Sequence, residues 1–213
     1  MTKAIFLDRD GVINYPVLDP NTKEYAAPWN PDDFILCEGV IESLKTLIDT
    51  GFKLFIVTNQ PDYAKGKTNL ENLKLVHNKM HSIFMENNIK FTDYYYCYHH
   101  PQGIVPEYSI RCQCRKPGNL FLKQAETKYG LNLVDSWMIG DRDVDIYCGQ
   151  SAGTRTIMIN LKESRDRATS SNPDYKVNSL REAVEIVRKE SENWRAGELE
   201  NQGMEKGYTK RQE

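Results

Sequence analysis

Short apolar runs rich in β-branched and aromatic residues recur along this chain at 4–7, 54–58, 94–97, 137–140 and 156–159. Each has the length and composition of a buried strand. Between them the apolar spacing changes to steps of three and four. Val40, Leu44, Leu47 and Ile48 share one face over 39–49, and Leu73, Val76, Met80 and Ile83 share one over 70–87. Further helices are predicted at 118–129 and from about 144 to 152. Ser179 with Glu182 forms a capping-box pattern ahead of Leu180, Ala183, Val184 and Val187, which starts a final amphipathic helix. Strands that alternate with helices need parallel crossovers, so the chain predicts an open α/β sheet with helices on both faces. Chemistry in such sheets collects at the carboxyl ends of the strands.

Charge and size narrow the classes. Among 213 residues, 28 basic side chains face 30 acidic ones, a net charge of −2. A general nucleic-acid binder needs a basic surface to displace counterions, so no nucleic-acid partner is predicted. A domain of this length buries roughly 70% of its unfolded surface. One domain over 1–190 is expected, followed by a polar extension over 191–213 in which Trp194, Leu199, Met204 and Tyr208 keep no clean period. That composition predicts a poorly ordered tail, with docking on a partner or on its own domain as the alternative. Met1-Thr2-Lys3 runs directly into the apolar stretch that meets Asp8, which is not a signal-peptide pattern, and no run approaches the roughly 20 apolar residues of a membrane span. The expectation is a cytoplasmic monomer with no membrane partner. Five cysteines, at 37, 97, 112, 114 and 148, are an odd number for a disulfide framework and favour metal or catalytic use.

The polar residues at the run ends carry the chemistry. Asp8 and Asp10 flank Arg9 where the first run stops, and Gly11 permits a tight turn behind them. A bare pair of this kind is often only a solvated turn, so its company matters. The second run closes on Thr58-Asn59-Gln60, uncharged groups suited to an oxyanion. Arg115-Lys116-Pro117 precedes the third helix, and Gly140-Asp141-Arg142-Asp143-Val144-Asp145 forms an acidic cluster suited to a hard divalent ion such as Mg²⁺. A carboxylate nucleophile about 4 Å from a phosphate oxyanion meets on the order of 4 kcal/mol of repulsion per charge pair at an effective dielectric of 20. A divalent cation, a lysine and neutral donors together reverse that sign.

Asp8-Arg9-Asp10-Gly11-Val12-Ile13-Asn14, Thr58-Asn59-Gln60, Lys116 and Gly140-Asp141 with Asp145 resemble, in this order, the four motifs of the haloacid dehalogenase-type (HAD) phosphatase superfamily. The resemblance implies a Rossmann-like parallel sheet with a minimal cap and hydrolysis through an aspartyl-phosphate. It makes Asp8 the nucleophile and Asp10 the general acid, then the base. Thr58 and Lys116 would position the phosphoryl group, with Arg9, Asn59 and Gln60 contacting substrate. Mg²⁺ would be held by the Asp8 and Asp141 side chains and the Asp10 backbone carbonyl, with Asp145 just outside that set.

Cys97-Tyr98-His99 and Cys112-Gln113-Cys114 add three thiolates and an imidazole, a full tetrahedral Zn²⁺ shell with no open position. A structural zinc loop over 97–114 is therefore expected, delivering Arg115 and Lys116 directly after its last ligand. The loop, with Ala64-Lys65-Gly66-Lys67, is similar to that of the heptose 1,7-bisphosphate 7-phosphatases, and that likeness implies that Arg115 and Arg142 contact a small phosphorylated sugar. Two stretches depart from that pattern: Pro61-Asp62, where those enzymes carry Ser-Gly, and 15–30. Histidinol phosphate or another sugar phosphate is the alternative substrate. A phosphoacceptor signalling module is the alternative class, although its acceptor lies on a middle strand whereas Asp8 closes the first.

Three features are read as structural. His77 and His81 are assigned to a solvated helix face, and Cys37 and Cys148 to the core. The rings of Tyr94, Tyr95 and Tyr96 should alternate across a strand rather than form a nucleic-acid stacking platform.

Overall fold

A computed structural model describes residues 2–20, 22–167 and 170–192. Six strands form one all-parallel sheet: β1 (Ala4–Leu7), β4 (Lys53–Asn59), β5 (Asp93–Cys97), β6 (Trp137–Gly140), β7 (Arg155–Ile159) and β8 (Tyr175–Val177), in the spatial order β5-β4-β1-β6-β7-β8. The crossovers are α1 (Val40–Asp49), α2 (Leu70–Glu86), α3 (Leu120–Tyr129) and α4 (Asp143–Ala152), and the described part of a last helix, α5, covers 180–192. The polar tail predicted from 191 lies outside the described residues from 193 onward, while Ser191 and Glu192 still belong to α5. No helix among the described residues is long and apolar enough to cross a membrane.

Strand alternation sorts the core into two layers. Ile5, Leu7, Leu54 and Ile56 pack with Val40, Leu44 and Leu47 of α1, Val76, Met80 and Phe84 of α2, and Leu180, Val184 and Val187 of α5. Ala4, Phe6, Phe55 and Val57 pack on the other side with Leu122 and Ala125 of α3 and Cys148 and Ala152 of α4. Cys148 is thus a core residue and Cys37 is half-buried against the first layer. Tyr94 and Tyr96 face α2, whereas Tyr95 packs on Phe55 and Phe121.

Two features depart from the sequence pattern. β8 is three residues long, too short to show alternation, and the hairpin of β2 (Val17–Leu18) and β3 (Tyr25–Ala26) is shorter still. That hairpin stands apart from the main sheet and constitutes the minimal cap. The solvated face predicted for His77 and His81 is also corrected. His77 is buried, its ring 3.8 Å from that of Tyr96, and burial holds its imidazole down at about 3. His81 meets the Tyr96 hydroxyl at 3.1 Å. The half-buried tyrosines of edge strand β5 need a cover, and this helix face supplies aromatic partners.

Candidate active site

Sheet order explains why the acidic residues meet. β1 pairs with β6 through Leu7 and Ile139, so the chain leaves both strands side by side, at Asp8 and at Asp141. The Asp8 backbone N–H still bonds Ile139 O at 3.0 Å. α4 then begins at Asp143 and turns Asp145 back, its Oδ2 accepting the Arg142 N–H at 3.0 Å. Side-chain atoms of Asp8, Asp141 and Asp145 lie within 4.8 Å of one another, all buried. Two glycines make room. Gly11 has φ of 91°, and a Cβ there would strike the Asp141 carboxylate, while a Cβ at Gly140 would strike Asp145.

Lys116 enters this cluster from the loop before α3. Its Nζ lies 2.8 Å from Asp8 Oδ1 and 2.6 Å from Asp145 Oδ1, and donates to Val57 O at 2.7 Å. Burial alone would depress its pKa, but Asp145 and Asp8 outweigh burial and hold it above the ordinary lysine range. Asn59 fixes the approach: its Nδ2 donates to Lys116 O at 3.1 Å and its Oδ1 accepts the Lys116 N–H at 3.0 Å.

Asp10 is held on every side. Arg9 donates to Oδ1 and Oδ2, Asn14 to Oδ1 at 3.0 Å and Gln60 to Oδ2 at 2.6 Å. Burial pushes its pKa up, but Arg9 and the amide donors more than offset it, so Asp10 rests below the usual carboxylate range. Gln60 also donates to Thr58 Oγ1 at 2.9 Å, leaving that hydroxyl hydrogen to be donated elsewhere.

A cavity of about 350 Å³ opens on Asp10 and is lined by Asn59, Asp62, Lys65, Lys67, Arg115 and Arg142, with Glu24, Tyr25, Ala26 and Ala27 of the cap. Its cations suit an anionic ligand. Arg115 and Arg142 line this cavity, whereas Arg9 and Gln60 do not. Both are buried against Asp10 and donate to its carboxylate, while Gln60 also serves Thr58 and Arg9 Nη1 is buried without a partner. Asn59 lines the cavity, yet its amide is committed to the Lys116 main chain. Asn14, Asp62 and Ser164 were not predicted. Asn14 lay inside the first motif without a distinguishing signal, and Ser164, which donates to Asp141 Oδ2, lies far from every motif.

The donor sets fit metals of two kinds. Asp141 Oδ1 is buried without a hydrogen-bond partner, and burial with Asp145 and Asp8 nearby pushes the Asp141 pKa up to about 7 despite Arg142. Crowded carboxylates with an orphaned oxygen match the all-oxygen preference of Mg²⁺. At the rim, Sγ–Sγ separations among Cys97, Cys112 and Cys114 are 3.2 to 3.6 Å, and His99 Nδ1 lies 3.8 Å from Cys97 Sγ and 3.5 Å from Cys114 Sγ. A tetrahedron with Zn–S bonds of about 2.3 Å has edges of about 3.8 Å, so these four atoms are arranged to enclose one ion. Arg115, next after Cys114, donates to His99 O at 3.3 Å.

Comparison with known proteins agrees with this geometry. The family model described as HAD-hydrolase-like matches residues 113–183. The chain is 36% identical over 151 residues to the D-glycero-alpha-D-manno-heptose-1,7-bisphosphate 7-phosphatase of Photorhabdus laumondii, covering 71% of this chain and 78% of that one. It is 31% identical over 189 residues to the D-glycero-beta-D-manno-heptose-1,7-bisphosphate 7-phosphatase of Escherichia coli K12, covering 88% and 94%. Among solved structures, the D,D-heptose 1,7-bisphosphate phosphatase of B. bronchiseptica, complexed with magnesium and phosphate, shares the fold with a TM-score of 0.73 and 23% identity over 89% of this chain and 99% of that one.

Proposed function

Because this chain belongs to the HAD-type family of heptose-1,7-bisphosphate 7-phosphatases, we propose that it hydrolyses the 7-phosphate of a heptose 1,7-bisphosphate through an aspartyl-phosphate. The observation that carries this reading is the buried group of Asp8, Asp141, Asp145 and Lys116 beside a cavity rimmed by Arg115 and Arg142.

The roles follow from which atoms are already engaged. Asp8 Oδ1 takes the Lys116 ammonium and the Arg9 N–H at 2.8 Å, which leaves Oδ2 to attack phosphorus. Thr58 donates its hydroxyl hydrogen to a phosphoryl oxygen, and Lys116 offsets charge on the transferring group. Asp145 pairs with Lys116 and so fixes the ammonium between two carboxylates. Asp10 rests as a carboxylate, the form that takes a proton from the hydrolytic water. An arriving phosphate dianion raises its pKa, which equips it to protonate the leaving alkoxide first. Asp8, Asp141 and the Asp10 carbonyl would hold Mg²⁺, which supplies neutralisation of charge between the nucleophile and the phosphate. Zn²⁺ on Cys97, His99, Cys112 and Cys114 would fix the loop that presents Arg115 and Lys116.

The test is phosphate release from a panel containing both heptose 1,7-bisphosphate anomers, histidinol phosphate and simple sugar phosphates, with Mg²⁺ present. The expected product is the heptose 1-phosphate. Preference for histidinol phosphate would replace the substrate, and no turnover of any member would remove the phosphatase reading.

A further inference from the structure

The two stretches that depart from the family pattern, 61–62 and 15–30, meet in space. The β2–β3 hairpin has two residues in each strand and sits apart from the main sheet. A hairpin of that size buries too little to hold its own position, yet its residues Glu24 to Ala27 form one wall of the cavity. Side-chain links join this segment to the turn over 61–67. Trp29 Nε1 donates to Asp62 Oδ2 at 2.9 Å. Lys67 Nζ lies 3.4 Å from Asp19 Oδ2 and 5.7 Å from the centre of the Trp29 ring. Asp62 and Asp19 are both buried, and a buried carboxylate needs partners of this kind in place of the water it has lost.

The turn is in turn anchored to the Cys/His loop, because Ala64 O accepts the N–H groups of Ile104 at 2.7 Å and Val105 at 3.2 Å. It therefore joins the small cap to the Cys/His side of the site. None of the reacting groups (Asp8, Asp10, Thr58 and Lys116) belongs to the hairpin or to this turn.

We infer that Asp62 is a positioning residue for substrate specificity: through Trp29 it holds the hairpin as the wall that binds the non-reacting end of the phosphorylated sugar. This rests on the phosphatase reading and adds to it the element that selects the substrate. Interactions with remote parts of a substrate that are equal in ground and transition states change KM and leave kcat nearly alone. A loosened wall should therefore appear in KM, and only for substrates long enough to touch it.

The experiment uses the full chain with Mg²⁺ and compares heptose 1,7-bisphosphate with p-nitrophenyl phosphate. Asp62→Ala and Trp29→Phe should each raise KM for the heptose about tenfold relative to KM for the aryl phosphate, with kcat for the heptose held within about twofold; tenfold corresponds to about 1.4 kcal/mol. The double variant should be no worse than Asp62→Ala, because both single changes remove the same bond. Asp62→Asn should recover most of the affinity, since its amide oxygen still accepts from the indole. An unchanged KM ratio, additive effects in the double variant, or no recovery in Asp62→Asn would each overturn the inference. Should Asp62→Ala fail to fold, Trp29→Phe, which keeps an aromatic ring and removes only the donor-bearing part, carries the same comparison. Wild-type protein inert toward both substrates would instead bring down the phosphatase reading, a result distinct from active enzyme with an unaltered KM ratio.

Discussion

The acidic cluster and the thiol cluster are assembled in opposite ways. Asp8 and Asp141 come from distant parts of the chain and meet because β1 and β6 are neighbours, and Asp145 joins them through the first turn of α4. Cys97 closes β5, and His99, Cys112 and Cys114 follow in one loop whose described regular structure is a single short turn at Pro106–Tyr108. In the first case the fold itself gathers the carboxylates, because strand pairing has already set their positions. In the second the four donors are neighbours in sequence, and an ion bound to them would tie the loop together beyond what its own hydrogen bonds supply. The two meet at Arg115-Lys116, where the thiol loop hands its last residues to the acidic cluster.

The largest effect should come from Asp8→Asn, which removes the proposed nucleophile while leaving the strand pairing intact. Phosphate release should drop by at least about 10⁴-fold, on the scale seen when a nucleophile is removed, while the thermal midpoint stays near wild type. If activity and midpoint fell together, the acidic cluster would be holding the fold up and the contrast between the two sites would break. Cys114→Ser should do what Asp8→Asn does not. Loss of one of four ligands should lower the midpoint by several degrees, reduce bound zinc from about one per chain toward zero, and lower activity through displaced Arg115 and Lys116. Elemental analysis with calorimetry checks both results. Full zinc-free stability of this variant would show that the loop folds without an ion.

A smaller effect tests the junction. Asn59→Ala removes both bonds to the Lys116 main chain. At about 1 kcal/mol per bond the loss is about 2 kcal/mol, roughly thirtyfold in kcat/KM. The zinc content should be unchanged. Reduced zinc in this variant would mean that the acidic side also organises the thiol side, and the dependence would run in both directions.

The same contrast explains what the sequence revealed. Asp8, Asp10, Thr58 and Asp141 stand at or just past strand ends and Lys116 in the loop before α3, places that the alternation of runs marks out, and the Cys/His cluster is legible because its spacing is local. The roles of Arg9, Gln60 and Asn59 were not legible. Polar residues beside a motif look alike whether they face a ligand or brace a neighbour, and only the packed structure shows that these three brace Asp10 and Lys116. The Trp29–Asp62 link was hidden for a related reason: each residue belongs to a stretch with no periodicity, and the pairing exists only after the cap has folded onto the turn. His77 failed for a different reason. Helical spacing placed it with a second histidine on one face, but the exposed aromatic surface of β5 buries that face.

That last point yields the smallest prediction, and it asks whether β5, which ends at Cys97, is held by the sheet or by the Cys/His loop. His77 stacks on Tyr96, one residue before Cys97, and its Nδ1 meets the Tyr98 hydroxyl at 3.4 Å. Burial keeps this imidazole neutral down to about pH 3, against an ordinary value of 6.5. The unfolded chain binds a proton below 6.5 that the folded chain refuses, so this contribution is intact above 6.5 and is lost as pH falls from there toward 3. At pH 5 the interval is about 1.5 pH units, or about 2 kcal/mol. His77→Phe keeps a ring against Tyr96 and removes the titration, so between pH 7 and pH 5 it should lose about 2 kcal/mol less stability than wild type in parallel urea unfolding series with zinc present. Equal losses would mean that His77 takes up its proton within the fold, and that β5 yields at this face before the thiol ligands do.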